Sequence, residues 1–255
     1  MAGTQLVAFT AWLLYFVISR EPFTPPGAAW PAIPASAVLV FGMASLLARA
    51  SARGDISVVG PVYALSPIFT IVPDALLSGT LPTPLGWLGL GLAVAGTVGL
   101  SRGGASGGSL RALFARPDAL DALGAAIFLG LLSAVDRWGA LAIGPPSYLI
   151  ASHGLSALVV GTVALVTTPR GLTASVAPRN LATLLAHGLL GLAGTGMQTT
   201  ALTTAPAAYV NAVRRLSALI AVVLGRALFR EADVGRRLAA ALLACAGAAC
   251  LLLAR

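Results

Sequence analysis

Apolar runs separated by short polar or breaker-rich stretches follow one another from the first residues of the chain to its last. Nine such runs can be read, at 5–19, 32–48, 56–78, 85–100, 119–143, 148–166, 181–203, 207–229 and 238–253. Several approach the roughly 20 residues that a helix needs to cross a bilayer. Only 9% of the residues are charged, against about 25% in a soluble domain, so this chain has too little polar side-chain surface to live in water. The expected fold is an all-α polytopic membrane protein with about nine transmembrane helices. The first run lacks the positive start and small-residue cleavage pattern of a secretory signal, and is read as a retained span.

The charges are few but one-sided. All 16 basic residues are arginine, and the net charge is +8. Most arginines fall between apolar runs, where they act as a topology signal rather than as a nucleic-acid footprint. Arg49, Arg53, Arg102, Arg111, Arg116, Arg170, Arg179, Arg230, Arg236 and Arg237 follow the even-numbered runs, whereas the other side has essentially Arg20 and Arg255. By the positive-inside rule the N-terminus is expected inside and the C-terminus outside. Residues 101–118 form the longest polar stretch, rich in Gly and Ser, and read as a linker. The expected organisation is a four-span half at 1–100 and a five-span half at 119–255.

The two halves share a pattern. Laying Leu65-Ser66-Pro67 over Leu216-Ser217-Ala218 brings Gly96 over Gly247 and Leu100 over Leu251 without a gap. Repeats with an odd number of spans insert in opposite orientations, the usual basis of alternating access. Arg49-Ala50, Gly54-Asp55-Ile56-Ser57, Pro61, the Ser66–Thr70 stretch, Gly89 and Gly96 resemble the EamA repeat of the drug/metabolite transporter superfamily. Ala201-Leu202, Ala205-Pro206, Arg214-Arg215-Leu216-Ser217, Leu228-Phe229, Glu231 and Gly247 repeat it. The resemblance implies ten spans in two inverted halves. This sequence departs from it by having four spans in its first half, and Thr80 where the loop Glu would stand.

Polar residues inside the runs mark the candidate sites, because charge at membrane depth is costly unless it faces a partner or a wet cavity. Asn211, Arg214 and Arg215 are spaced i, i+3, i+4 and share one helix face. Arginine's fork suits a carboxylate or phosphate, so this face is the expected contact for an anionic or zwitterionic substrate. The competing reading has the arginines snorkelling to a headgroup layer. Tyr63 overlies Arg214 in the repeat and is expected to line the same cavity, among the prolines Pro61, Pro67 and Pro73. Asp136 and Arg137 point about 100° apart on their helix. Asp136 is expected to pair with Arg214 or Arg215, and Asp136, Arg137 and His153 are the gating or ion-coupling candidates. His153 also has the plainer reading of a hydrogen-bonded packing residue. Asp74 lies near the end of the third run, close to Ser78-Gly79, where an interfacial position is its plain reading.

No P-loop, Gly-x-Ser-x-Gly elbow or metal-ligand spacing occurs in the sequence, and no enzyme activity, metal or cofactor is expected. Cys245 and Cys250 face different sides of one helix, so no disulfide is expected between them. The expected partners are the lipid bilayer and a small-molecule substrate; proton coupling and a homodimer are compatible with this reading, and nucleic acid is not expected. The expected function is secondary transport, with export the commoner role for a relative of this kind, across a bacterial inner membrane. The alternative is a non-transporting membrane subunit or assembly partner built on the same fold.

Overall fold

The structure, a computed structural model, describes residues 2–20, 22–54, 56–79, 81–101, 116–167, 178–214 and 234–254. Among them the regular elements are all helical, with no strand. In chain order they are α1 (Ala2–Ser19), α2 (Ala32–Arg53), α3 (Ile56–Tyr63), α4 (Ser66–Ser78), α5 (Pro84–Ser101), α6 (Pro117–Ile143), α7 (Pro145–Thr167), α8 (Pro178–Thr204), α9 (Ala207–Arg214) and α10 (Val234–Leu253). Helices α2, α6 and α7 are each long and apolar enough to cross a membrane. This is an all-α polytopic architecture, as the apolar runs require.

Burial is arranged for lipid rather than for water. Large apolar side chains lie on the outside, with Leu76 80% and Val166 79% exposed. The interior holds small or polar residues instead, among them Ala32, Ala119, Ala122, Ser66, Thr70 and Asn211. In hydrocarbon the exposed leucines lose nothing, while small residues let helix backbones approach and interhelical hydrogen bonds form.

The chain divides into two compact units, each drawn from distant parts of the sequence. Unit 1 comprises Met1–Phe41 and Val135–Thr204, and unit 2 comprises Gly42–Ala134 and Ala205–Arg255. This division is different from the halves at 1–100 and 119–255.

In unit 1 a core of Ala29, Ala32, Ile33, Ala140, Ile143 and Tyr148 joins the start of α2, the end of α6 and the start of α7. The α6–α7 turn is made at Gly144, whose φ of 80° is a left-handed value that side chains with a Cβ adopt at a cost. Pro145 then starts α7, where its missing N–H is harmless. Helix α1 lies along α8, Val7 meeting Gly188 and Trp12 meeting Gly196, so the two run parallel. The glycines of α8 therefore divide. Gly188 and Gly196 receive α1, whereas none of the described residues lies near the open sides of Gly191 and Gly194.

In unit 2, α2 and α6 run antiparallel, since Gly42 meets Phe128, Leu46 meets Gly124 and Gly54 meets Asp118. Ion pairs from Arg49 and Arg53 to Asp121, at 2.9 and 3.6 Å, close this end. Helices α5 and α10 are also antiparallel. Gly89 packs against Gly247 and Leu251, and Thr83, just before α5, reaches the Ala254 carbonyl at 3.4 Å. A Cβ on Gly247 would collide with the backbone of Ala93 and Gly89. The spacing of these two helices is thus set by glycine.

The apolar run at 56–78 is not one helix. It breaks at Ala64-Leu65, between α3 and α4. Pro67 explains the break: it supplies no N–H to the Tyr63 carbonyl and its ring crowds that group. Pro73, inside α4, does the same to Phe69. The backbone of Phe69 is approached there by Gly130 of α6.

Candidate functional site

A buried polar node in unit 2 ties together α4, α6 and α9. Asn211, 1% exposed, donates both hydrogens of its amide nitrogen, to Thr70 Oγ1 at 2.9 Å and to Ser133 Oγ at 2.8 Å. Each hydroxyl in turn donates to a carbonyl one turn back on its own helix, Thr70 to Ser66 and Ser133 to Leu129. The node thus relays every donor to an acceptor, which a buried polar group in low dielectric requires.

One turn away along α4, Asp74 is also buried. Its Oδ2 accepts the Ala207 N–H at 2.8 Å, at the first residue of α9. The first N–H groups of a helix have no partner within it, and a carboxylate there is favoured by the helix dipole. Asp74 is therefore buried inside the protein, where a helix end is its partner. Sequence reasoning missed it because the donor comes from a residue 133 positions away. The available signal was Ala205-Pro206, which starts a new helix with free N–H groups.

The expected substrate face of α9 is divided by burial. Asn211 is interior, while Arg214, the last described residue of α9, is exposed. Arg215 lies outside the described residues, as do Arg230 and Glu231. Tyr63 is half-buried at the end of α3, its hydroxyl 3.3 Å from Met43 Sδ. Tyr63 is thus the last residue of α3, and Arg214 is the last described residue of α9.

A second constellation lies in unit 1. Asp136 Oδ1 accepts the Tyr148 hydroxyl at 2.7 Å and the Ser36 hydroxyl at 2.9 Å. Its neighbour Arg137 turns elsewhere, as consecutive helical residues must, and Nε donates to the Leu202 carbonyl at 3.0 Å. That carbonyl would ordinarily accept from residue 206, which is proline. Arg137 thus supplies the donor that Pro206 lacks. His153 Nδ1 is 3.0 Å from the Leu149 carbonyl on its own helix, and the side chain of His187 lies outside the described residues. Cys245 and Cys250 are both free thiols.

Comparison with known proteins bears on this arrangement. The model of the EamA-like transporter family matches residues 1–102. A solved crystal structure, described only as that of a protein, has the same fold. It superposes with a TM-score of 0.76 over 99% of this chain and 87% of its own length, at 20% sequence identity. No curated protein matches. EamA-family proteins are transporters rather than enzymes, which agrees with a helical, multi-pass membrane chain. The likeness to the EamA-like transporter family is thus carried by residues 1–102, about two-fifths of the chain.

Proposed function

We propose that this chain is a secondary transporter that moves a small anionic or zwitterionic compound, amino-acid-like or drug-like, by alternating access of two inverted halves. The direction is outward across a bacterial cytoplasmic membrane. The observation that carries the reading is the interrupted span of unit 2, packed against a helix that itself begins after the break at Ala205-Pro206. Transporter sites are built where helices are interrupted near the midplane, and here the interrupted span α3–α4 packs through α4 on α9. The register that lays Leu65 on Leu216 also lays the start of α3, Ile56, on the start of α9, Ala207. It lays α5 on residues 235–252, within α10, and α5 and α10 are antiparallel neighbours. Antiparallel packing of repeat mates is what an axis in the membrane plane demands.

In this reading Arg214 and Arg215 bind the carboxylate or phosphate of the cargo, with Tyr63 beside them. Asn211 sets the position of α9 rather than touching cargo, since both of its N–H hydrogens are used within the protein. Asp136, held by two hydroxyls, and Arg137 set the elements of unit 1, and His153 is a packing residue.

The test is counterflow in liposomes containing the purified chain, with labelled amino acids and aromatic carboxylates as probes. Wild type accumulates at least one probe, and Arg214→Ala or Arg215→Ala lowers its apparent affinity by about tenfold or more, the loss of one charge-assisted contact. Full transport in both variants at normal protein levels removes the arginine assignment. No counterflow by wild type with any probe, together with co-purification of a fixed partner protein, favours a non-transporting subunit instead.

A further inference from the structure

We infer that the end of unit 2 where α2 meets α6 is a headgroup site for an anionic phospholipid, with Arg49 and Arg53 on the phosphate and the outer side of α6 along an acyl chain. Arg49 and Arg53 stand one turn apart on α2, so they are neighbours on one face, about 6 Å apart along the axis. Both meet the same carboxylate, Asp121 of α6. Arg49 Nη2 donates to Asp121 Oδ1 at 2.9 Å. Arg53 Nη1 is 3.6 Å from Oδ2, an oxygen with no hydrogen-bond partner among the described residues. Arg53 is thus paired by charge, while the N–H groups of its fork find no hydrogen-bond acceptor among the described residues.

The two arginine side chains are 54% and 61% exposed. Ion pairs so open to solvent hold their partners weakly, which leaves both guanidiniums able to turn an edge to a phosphate. The third arginine at this end is differently placed. Arg116 is forked onto Asp118, with Nε to Oδ1 at 3.1 Å and Nη2 to Oδ2 at 2.9 Å. The described cluster therefore sets three cations against two anions, an excess of one positive charge. The C-terminal end of α2 accounts for a cation there. It does not account for two on one carboxylate.

The surface beside the charges selects a lipid over a free anion. Leu120, next to Asp121 on α6, is exposed, and so is Ile127. Seven residues apart, these two lie on the same side of the helix, and α6 is long and apolar enough to cross a membrane. A ligand with a phosphate at the level of Arg49 and Arg53 and hydrocarbon running about 10 Å along that side matches both features. Inorganic phosphate matches only the first. By the positive-inside rule this end is expected in the cytoplasm, where the leaflet surface carries negative charge.

Native mass spectrometry of the full chain in detergent, which counts bound lipids one by one, tests the site. The probes are phosphatidylglycerol and phosphatidylcholine with identical acyl chains. Wild type is expected to bind one phosphatidylglycerol about tenfold more tightly than phosphatidylcholine, the worth of one charge-assisted contact. Arg53→Gln reduces this preference, and Arg49→Gln combined with Arg53→Gln removes it. Arg20→Gln, which deletes the same charge just after α1, leaves it intact. Excess inorganic phosphate does not displace the bound lipid. Equal binding of the two lipids by wild type, or an unchanged preference in Arg53→Gln, overturns the proposal. So does an equal loss in Arg20→Gln, which would mean attraction by net charge alone, or displacement by inorganic phosphate, which would mean a site for a free anion. If the double variant does not fold, Arg53→Gln decides by itself, because no hydrogen bond among the described residues is lost with it. None of these readouts involves transport, so their failure leaves the transporter reading standing.

Discussion

Asn211 shows how one residue can be legible in kind and illegible in role. A polar amide in an apolar run announces a partner, because an unsatisfied one is costly. Which partners it has depends on Thr70 and Ser133, on two other helices. Replacing Asn211 by Leu removes both donors and is expected to destabilise the protein by about 1–3 kcal/mol. Thermal unfolding in detergent measures this, and a midpoint equal to wild type would show that the node contributes nothing. Asp74 is the harder case. Near the end of its run it reads as an interfacial acid, and only the arrival of the α9 N-terminus makes it interior.

Among the elements, the breaks are where local sequence spoke most plainly. Pro67 and Pro73 mark the third run as irregular, and the helix is interrupted at Ala64-Leu65, immediately ahead of Ser66-Pro67. Pro206 likewise ends α8 and leaves the Leu202 carbonyl without its usual donor. That Arg137 fills the place could not be read from spacing, since 65 residues separate the two. The pairing makes a sharp expectation. Arg137→Leu costs about 1.5–3 kcal/mol in wild type, and less when Pro206→Ala supplies an N–H just past the end of α8. A double-mutant cycle on thermal stability should therefore give a coupling on the order of 1 kcal/mol. Strict additivity would reject the assignment. The α5–α10 contact gives another. Gly247→Leu drives a side chain into the Ala93 backbone and is expected to lower stability by about 2 kcal/mol or more. The same change at Gly191, whose open side meets none of the described residues, should cost under about 0.5 kcal/mol. Thermal unfolding of the two variants side by side would distinguish a packing glycine from an indifferent one.

For the molecule as a whole, the arginine asymmetry predicts that reporters fused after 101–116 lie in the cytoplasm and that one fused at the C-terminus lies outside. Alkaline phosphatase should be active, and green fluorescent protein dark, only at the second position. The reverse result would invert the orientation. The sequence by itself determined the solvent and the class. Apolar runs near bilayer length with few charges leave a helical membrane protein as the outcome, and the recurring Arg, Pro and Gly positions carry the EamA likeness. Those are local properties, set by side-chain chemistry and backbone geometry along the chain. Tertiary structure alone decided that the compact units are assembled from distant segments, that Asn211 is spent inside the protein, and that Asp74 caps α9. Each of these depends on which helix end or hydroxyl arrives from elsewhere. A buried polar group takes whichever partner the packing brings within about 3 Å, and sequence spacing does not encode that choice.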